Sequence, residues 1–196
     1  MGFNRRLLAA VLALMCLTGA ALAERYPLRA DMGEDGAKSI QEVATVETPV
    51  GFALQPSADP GAEEPEYYFE PLDESSPVRF YYYTAGSGDP DYLARAAMDT
   101  YALYYDEFQP GEITAAPLDG RDCLRFHYTC AYPNRDKTAT VYEQTAVCYL
   151  PLRADRFAAC IVSLAFGDAG DYLTDEALEA ELTEAVRAIS YSSACG

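Results

Sequence analysis

Three long stretches of strand-forming residues, separated by short turns, dominate the second half of the chain. They cover residues 122–132, 139–150 and 157–166. Connections this short favour antiparallel pairing, because a parallel pair needs a crossover of about a dozen or more residues. Alternate positions of the first stretch, from Leu124 to Cys130, are apolar, which is typical of a strand with one face in the core. The sequence therefore predicts an antiparallel sheet as the centre of the fold.

Two other segments carry helix signals. Asp89 and Pro90 suit the N-cap and first turn of a helix over 90–108. Thr174 caps a last helix, whose apolar stripe is Leu178, Leu182, Val186 and Ile189. Shorter strands are predicted at 50–54, 67–69, 78–84 and 113–117. The predicted fold class is α+β, with a single antiparallel sheet of about six to seven strands covered by two main helices.

The first 23 residues have the three parts of a secretory signal peptide. Arg5 and Arg6 are followed by an apolar run over 7–17 and by a small-residue cleavage site ending at Ala23. The run is shorter than the roughly 20 residues of a transmembrane helix. Twin-arginine export and lipid attachment at Cys16 are weaker interpretations, because the flanking residues fit both motifs poorly. We predict an exported protein cleaved after Ala23, with a flexible polar leader over 24–45 and one α+β domain over 46–195.

The charge balance limits the partners. The 196 residues include 14 basic and 31 acidic ones, which gives a net charge of −17. Loss of the signal peptide removes two arginines and no acid, and the charge becomes −19. Nucleic acid is excluded as a partner, since binding to phosphates requires basic patches. We expect a monomer that binds a protein or a component of the cell envelope, with no transmembrane anchor.

The mature chain has five cysteines, and an odd number cannot all pair within one chain. They are Cys123, Cys130, Cys148, Cys160 and Cys195. Long spacings and a single histidine argue against a zinc site. If residues 153–155 form a three-residue hairpin loop, Cys148 lies opposite Cys160, close enough for a disulfide. Small buried core thiols are the alternative.

The order of the elements, together with particular turns, resembles the PsbP-like fold. The similarity covers residues 46–191. Three segments carry it: 48–54 (TPVGFAL) as the first strand, 78–83 (VRFYYY) before the Asp-Pro-capped helix, and 118–121 (LDGR) as the mid-chain turn. The chain has no tryptophan and so lacks the proline-tryptophan segment often found after the first strand.

The resemblance implies an α/β/α sandwich. The fold occurs in the extrinsic PsbP subunit of the oxygen-evolving photosystem, in a Ran-binding nuclear import factor and in many exported bacterial proteins. Members bind other proteins or assist assemblies, and the family shares no catalytic residue. The resemblance therefore implies a non-enzymatic binding or accessory role and leaves the partner open.

The only histidine, His127, would have to serve any hydrolytic triad. It is predicted mid-strand, with Arg125 and Thr129 on its face, and no Gly-x-Ser-x-Gly elbow exists. We interpret it as a structural histidine and assign no catalytic residue. The Gly-Ser-Gly-Asp segment at 86–89 is interpreted as a loop with an N-cap, since it is too short for a P-loop and lacks the lysine.

Seven acidic residues fall within 59–74. They are Asp59, Glu63, Glu64, Glu66, Glu70, Asp73 and Glu74. Calcium needs about six to eight oxygen ligands that converge on one point, whereas this spacing matches no EF-hand and prolines hold the segment extended. A solvated loop is the main interpretation. Weak calcium binding and docking to a basic partner are the alternatives, and no metal ligand or cofactor is assigned.

The chain has 16 tyrosines, several of them adjacent in sequence. In a strand over 78–84, Tyr81 and Tyr83 face away from Phe80 and Tyr82. Aromatic faces stack on sugars or anchor protein interfaces, and the same rings fill a core when helices cover both faces of a sheet. Tyr81 and Tyr83 are the candidates for ligand binding.

These observations predict an exported, non-catalytic binding or accessory domain that acts at or outside the cell surface. A weak calcium- or small-ligand-binding module is the first alternative. A secreted hydrolase is the second, and it would require His127 within about 3 Å of a serine or carboxylate.

Overall fold

The computed structural model describes residues 24–33, 37–86, 88–152 and 156–192 and confirms the α+β class. The predicted signal peptide and Cys195 lie outside the described residues. The helices are α1 (Pro90–Tyr104) and α2 (Asp175–Arg187), and a 3₁₀ turn covers Ala169–Asp171. The strands are β1 (Arg25–Asp31), β2 (Ile40–Glu47), β3 (Phe52–Leu54), β4 (Tyr67–Pro71), β5 (Val78–Ala85), β6 (Asp106–Pro110), β7 (Thr114–Ala115), β8 (Leu124–Pro133), β9 (Thr140–Pro151), β10 (Phe157–Phe166) and β11 (Ile189–Tyr191).

Two antiparallel sheets are present, whereas the sequence predicted one sheet of six to seven strands. The large sheet has eight strands in the order β3-β4-β5-β10-β9-β8-β6, with β7 also paired to β8. The small sheet has three strands in the order β1-β2-β11. The second sheet escaped prediction because two of its strands lie in the charged segment before residue 46 and the third has only three residues.

The expectation of a flexible leader over 24–45 is wrong for the described residues of that segment. Leu28 and Val43 are fully buried in the core. The Tyr67 hydroxyl donates a hydrogen bond to the Pro27 carbonyl (2.7 Å), and the Thr84 hydroxyl donates one to the Arg29 carbonyl (2.8 Å). One face of β1 and β2 is charged, and this composition hides the few apolar residues that the other face buries.

The large sheet is buried on both faces. On one face, α2 and the small sheet cover Tyr82, Cys148 and Val162. On the other face, α1 covers Phe126 and Val147. Successive residues of β9 and β10 therefore alternate between two cores, which explains why both strands are buried almost continuously.

Helix α1 is shorter than predicted. Asp89 caps it as expected, accepting a hydrogen bond from the Asp91 N–H (3.0 Å). It ends at Tyr104, and the next residues form β6, which pairs with β8. Phe108 matches the helical spacing of the apolar stripe, but its backbone belongs to the edge of the sheet.

The predicted turn at 118–121 is a two-residue hairpin that holds the end of α2. Asp119 and Gly120 both have positive φ angles (52° and 74°), as such a turn requires. The Arg121 guanidinium donates hydrogen bonds to the carbonyls of Val186 (3.1 Å) and Ile189 (2.7 Å). Asp119 pairs with Arg187 at 2.9 Å. The bond to Val186 satisfies one of the carbonyls that a helix leaves free at its C-terminus, and the bond to Ile189 joins the same guanidinium to β11.

Among the described residues, no helix combines the length and hydropathy needed to cross a bilayer.

The burial of β1 predicts a large cost for Leu28→Ala. Removing this side chain should lower the free energy of unfolding by about 2–5 kcal/mol, since it leaves a cavity in the core. Leu72→Ala is the matched control, because Leu72 is 71% exposed. The measurement is denaturant unfolding of the mature protein. Equal unfolding free energies for the two variants would show that β1 is not packed in the core and would favour the flexible leader.

Candidate functional site

The two tyrosines predicted to bind a ligand lie in a stacked row with a third. Tyr81 and Tyr83 project from the α1 face of β5, and Tyr68 of β4 pairs in register with Tyr81. The ring centroids of Tyr68 and Tyr81 are 4.1 Å apart, with planes 13° from parallel. Those of Tyr81 and Tyr83 are 5.1 Å apart, at 26°. We call Tyr68, Tyr81 and Tyr83 the tyrosine row.

Exposure increases along the tyrosine row towards β4. Tyr81 and Tyr83 are partly buried, and Tyr68 is 47% exposed. Burial, with hydrogen bonds to Glu66 and Tyr68, raises the pKa of Tyr81 well above its ordinary value. Burial also raises the pKa of Tyr83. Helix α1 packs against β6 and β8, at the other end of the sheet, so the row has an open end at Tyr68.

Tyr68 was not among the predicted site residues. Its neighbours Tyr67 and Phe69 are fully buried on the opposite face of β4. The alternation of strand faces places Tyr68 beside Tyr81 only once the pairing of β4 with β5 is known. The signal in the sequence was three consecutive aromatic residues in one short strand.

Carboxylates lie on both sides of the exposed ring. Glu66 immediately precedes β4 and is one of the groups that raise the pKa of Tyr81. Glu70 is two residues beyond Tyr68 and therefore on the same face of the strand. Its carboxylate accepts a hydrogen bond from the Gln55 amide (2.6 Å) and lies 3.7 Å from the Arg79 guanidinium.

The other acids of the 59–74 loop make separate local contacts. Asp59 accepts a hydrogen bond from the Gly61 N–H (2.9 Å), and Asp73 accepts one from the Ser75 N–H (3.0 Å). Glu63 pairs with Lys38. No group of three or more acidic, cysteine or histidine side chains suited to a metal occurs in the described part of the chain. The spread of these contacts gives no support to the calcium alternative.

A cavity of about 400 Å³ lies between β8 and α2, on the opposite face of the large sheet from the tyrosine row. We call it the α2 cavity. As predicted, Arg125 and His127 project from the same face of β8, and both line it. Its acidic lining residues are Glu112, Asp175 and Glu179, and its apolar ones include Ala146, Leu178 and Leu182.

A buried amide fixes the start of α2 above this cavity. Gln144 of β9 accepts a hydrogen bond from the Leu173 N–H (2.9 Å) and donates one to the Leu173 carbonyl (3.0 Å). Thr174 then caps the helix by accepting from the Ala177 N–H (3.3 Å). Asp175 and Glu179 are one helical turn apart, so both face the cavity.

Arg125 is the only basic residue that lines the α2 cavity besides the histidine. Its Nη1 atom lies 3.0 Å from the Glu179 carboxylate, but the geometry is not that of a hydrogen bond. Nη1 is enclosed and donates to no acceptor among the described residues. The rest of the side chain keeps 21% of its surface exposed.

His127 packs against a glycine rather than against a catalytic partner. A Cβ on Gly111 would lie 2.4 Å from the His127 Nε2 atom, so only glycine leaves the ring in this position. The Gly111 N–H donates to the His127 carbonyl (2.8 Å). Within the described ranges, no hydrogen bond joins the ring to a serine or carboxylate. The contact that the hydrolase alternative requires is therefore not found among the described residues, and a non-catalytic role stays a prediction.

The cysteine register agrees with the hairpin argument. Cys148 pairs with Cys160, and both are fully buried. The Leu152 N–H donates to the Arg156 carbonyl (2.8 Å), so alternation makes Cys148 and Cys160 a hydrogen-bonded pair. The Cα atoms of such pairs lie about 5.5 Å apart, within disulfide range. The Cys123 thiol donates to the Ala116 carbonyl (3.2 Å), and Cys123, Cys148 and Cys160 are all free thiols in the structure. The disulfide stays a prediction.

The loop before α1 contains the predicted N-cap. The Asp89 carboxylate acts as the N-cap of α1, and Ser87 lies outside the described residues.

No protein-family model and no curated protein matches the chain. Among solved structures, it is similar to LpqN, described as involved in cell envelope biogenesis of Mycobacterium tuberculosis. The two share 13% sequence identity, with a TM-score of 0.44 over 86% of this chain and 92% of that chain. A likeness at this level supports no conclusion about function. Membership of the PsbP-like family stays a prediction.

The cysteine pairing predicts the thiol count of the mature protein. Unfolded without reductant, the protein should show two fewer titratable thiols than its five cysteines, and mass spectrometry should find Cys148 linked to Cys160. Reduction should lower the free energy of unfolding by about 2–4 kcal/mol. Cys130→Ala should leave the linkage intact, because Cys130 lies in the other core. Five free thiols would rule the disulfide out.

The close approach of Gly111 predicts that Gly111→Ala displaces the imidazole. Because His127 is the only histidine, one Cε1–H signal in a proton NMR spectrum reports its position. That signal should shift, and the added methyl group should destabilise the protein by about 1–3 kcal/mol. Gly167→Ala is the control, since nothing lies within 4 Å of its Cβ position. The same spectrum for both variants would contradict the packing.

Proposed function

We propose that the chain is an exported, non-catalytic binding domain whose tyrosine row docks a basic segment of a partner protein. The observation that carries the proposal is the stacking of Tyr68, Tyr81 and Tyr83 into one continuous aromatic surface with an exposed end. Tyrosine is enriched at interfaces because a rigid ring gives a large contact area with a polar tip.

The chemistry around the row favours a cation. An aromatic face attracts an ammonium or guanidinium group, and this attraction is strongest when water is excluded. Glu66 lies on one side of Tyr68, where it can pair with a basic side chain that rests on the ring. Glu70, on the other side, already contacts Arg79 and Gln55, and a partner's cation would compete with Arg79 for it. The net charge of −17 also attracts a basic partner at long range.

A glycan of the cell envelope is the second candidate for the same surface. The feature in its favour is again the stacked row, because sugar rings stack on tyrosine and their hydroxyl groups donate to carboxylates such as Glu66. Binding of a glycan does not require the negative charge, so the dependence of binding on salt concentration distinguishes the two ligands. Binding of a basic segment weakens as salt rises, whereas stacking on a neutral sugar changes little.

Tyr68→Ala tests the proposal. We expect it to weaken binding of a lysine- and arginine-rich peptide by roughly 2- to 30-fold, the range of a cation–π contact. Tyr68→Phe should keep most of the affinity. Tyr92→Ala is the matched control, because Tyr92 is 69% exposed on α1, outside the row. Fluorescence anisotropy at low and physiological salt measures all four proteins.

The result that would overturn the proposal is equal binding by the wild-type protein and Tyr68→Ala. Equal losses for Tyr68→Ala and Tyr92→Ala would show attraction by net charge without a docking surface. Binding of envelope glycans alone, insensitive to salt but lost in Tyr68→Ala, would replace the basic partner with a sugar.

A further inference from the structure

We infer that the α2 cavity binds a small zwitterion, a molecule that carries both a carboxylate and an ammonium group, as free amino acids and short peptides do. The juxtaposition that carries this inference is a guanidinium with spare donors, two unpaired carboxylates and an apolar wall around one space. The site is separate from the tyrosine row, since the two lie on opposite faces of the large sheet.

Arg125 provides the site for the carboxylate. A guanidinium has five N–H donors and matches a carboxylate in a two-pronged contact. Only one ion pair, with Glu179, holds this guanidinium, and Nη1 makes no hydrogen bond. A partly buried cation with unused donors is costly. Nη1 itself is enclosed, so a ligand carboxylate would accept hydrogen bonds from donors on the part of the side chain that stays exposed.

The position of Arg125 in the sheet supports this role. Arg125 pairs in register with Cys148, which pairs with Cys160, and both cysteines are fully buried. The guanidinium therefore stands at the margin of an apolar core and not on an open surface. His127, two residues further along the same face of β8, lines the same space.

Glu112 and Asp175 provide the site for the ammonium group. Both line the cavity, and neither forms an ion pair within the described residues. With Glu179 they outnumber the single guanidinium, so a ligand that carries only a carboxylate meets a net negative site. A ligand with an ammonium group as well can pair its carboxylate with Arg125 and its ammonium group with Glu112 or Asp175.

The remaining wall sets the size and the side chain. A cavity of about 400 Å³ falls in the lower part of the range for small-molecule sites, roughly 300–1,000 Å³. Leu178 and Leu182 of α2 and Ala146 of β9 form its apolar part. These residues suit an aliphatic side chain, which makes leucine a suitable probe. A free amino acid and the end of a short peptide share this chemistry.

Titration of the mature protein with leucine tests the inference, followed by the Cε1–H signal of His127 in proton NMR spectra. We expect a saturable shift at up to about 10 mM leucine, a range suited to a ligand of so few atoms. Isoamylamine, which lacks the carboxylate, and 4-methylvalerate, which lacks the amine, should each bind at least about tenfold more weakly. Dialanine distinguishes a peptide from a free amino acid as the preferred form.

Two variants tie the shift to the cavity. Arg125→Lys keeps the charge but loses the two-pronged contact, and we expect at least about tenfold weaker binding of leucine. Asp175→Asn removes one negative charge from the cavity lining and should weaken the binding of leucine but not that of 4-methylvalerate. Glu176→Gln is the matched control for Asp175→Asn, because it is the next residue of α2 and does not line the cavity. Tyr68→Ala should leave leucine binding unchanged.

Three outcomes would overturn the inference. Absence of a saturable shift with both leucine and dialanine would show that the cavity does not take a zwitterion. Equal binding of leucine and 4-methylvalerate would reduce the site to a simple anion site. Unchanged binding in both Arg125→Lys and Asp175→Asn would place the ligand elsewhere. None of these results bears on the tyrosine row, so failure here and failure of the proposed function remain distinguishable.

Discussion

The pairing of β9 with β10, buried on both faces, is the interaction on which the rest of the structure depends. Neighbouring residues alternate between two cores, with Cys148 and Val162 in one and Val147 and Ile161 in the other. Each face therefore needs its own cover, which α1 supplies on one side and α2 with the small sheet on the other. A slip of one residue would exchange the contents of the two cores, so the register is strongly specified.

This alternation also decides how much of the fold the sequence predicts. The central strands and the two capped helices follow from local period and capping, and the pairing of Cys148 with Cys160 follows from one short loop. The prediction of a flexible leader over 24–45 was wrong because the many charged residues on one face hide the few buried apolar residues, such as Leu28, on the other. The predicted end of α1 was wrong because Phe108 fits the helical spacing of the apolar stripe. The choice between helix and edge strand depends instead on whether a position beside β8 is free for pairing.

The two candidate sites also differ in how far the local sequence predicts them. The period of β5 alone places Tyr81 and Tyr83 together, and the sequence predicts that pair. Tyr68 joins them through the pairing of β4 with β5, which local sequence does not specify. The α2 cavity requires Arg125 of β8 to lie beside Glu179 of α2, and the buried Gln144 fixes the start of that helix through its two bonds to the residue before the cap. The available signal was a charged residue that shares the less apolar face of an alternating strand with the single histidine.

One row of residues paired across the large sheet explains why a cavity exists beside the guanidinium of Arg125. From β4 to β8 the row reads Tyr67, Tyr82, Cys160, Cys148 and Arg125, all on one face of the sheet. The first four are fully buried beneath the small sheet and α2. The fifth, Arg125, is only partly buried, and it lines the α2 cavity together with Leu178 and Leu182 of α2. A guanidinium is tolerated there because water or a ligand can reach it. The buried core ends at this residue, and the space beside it is the α2 cavity that a ligand would fill.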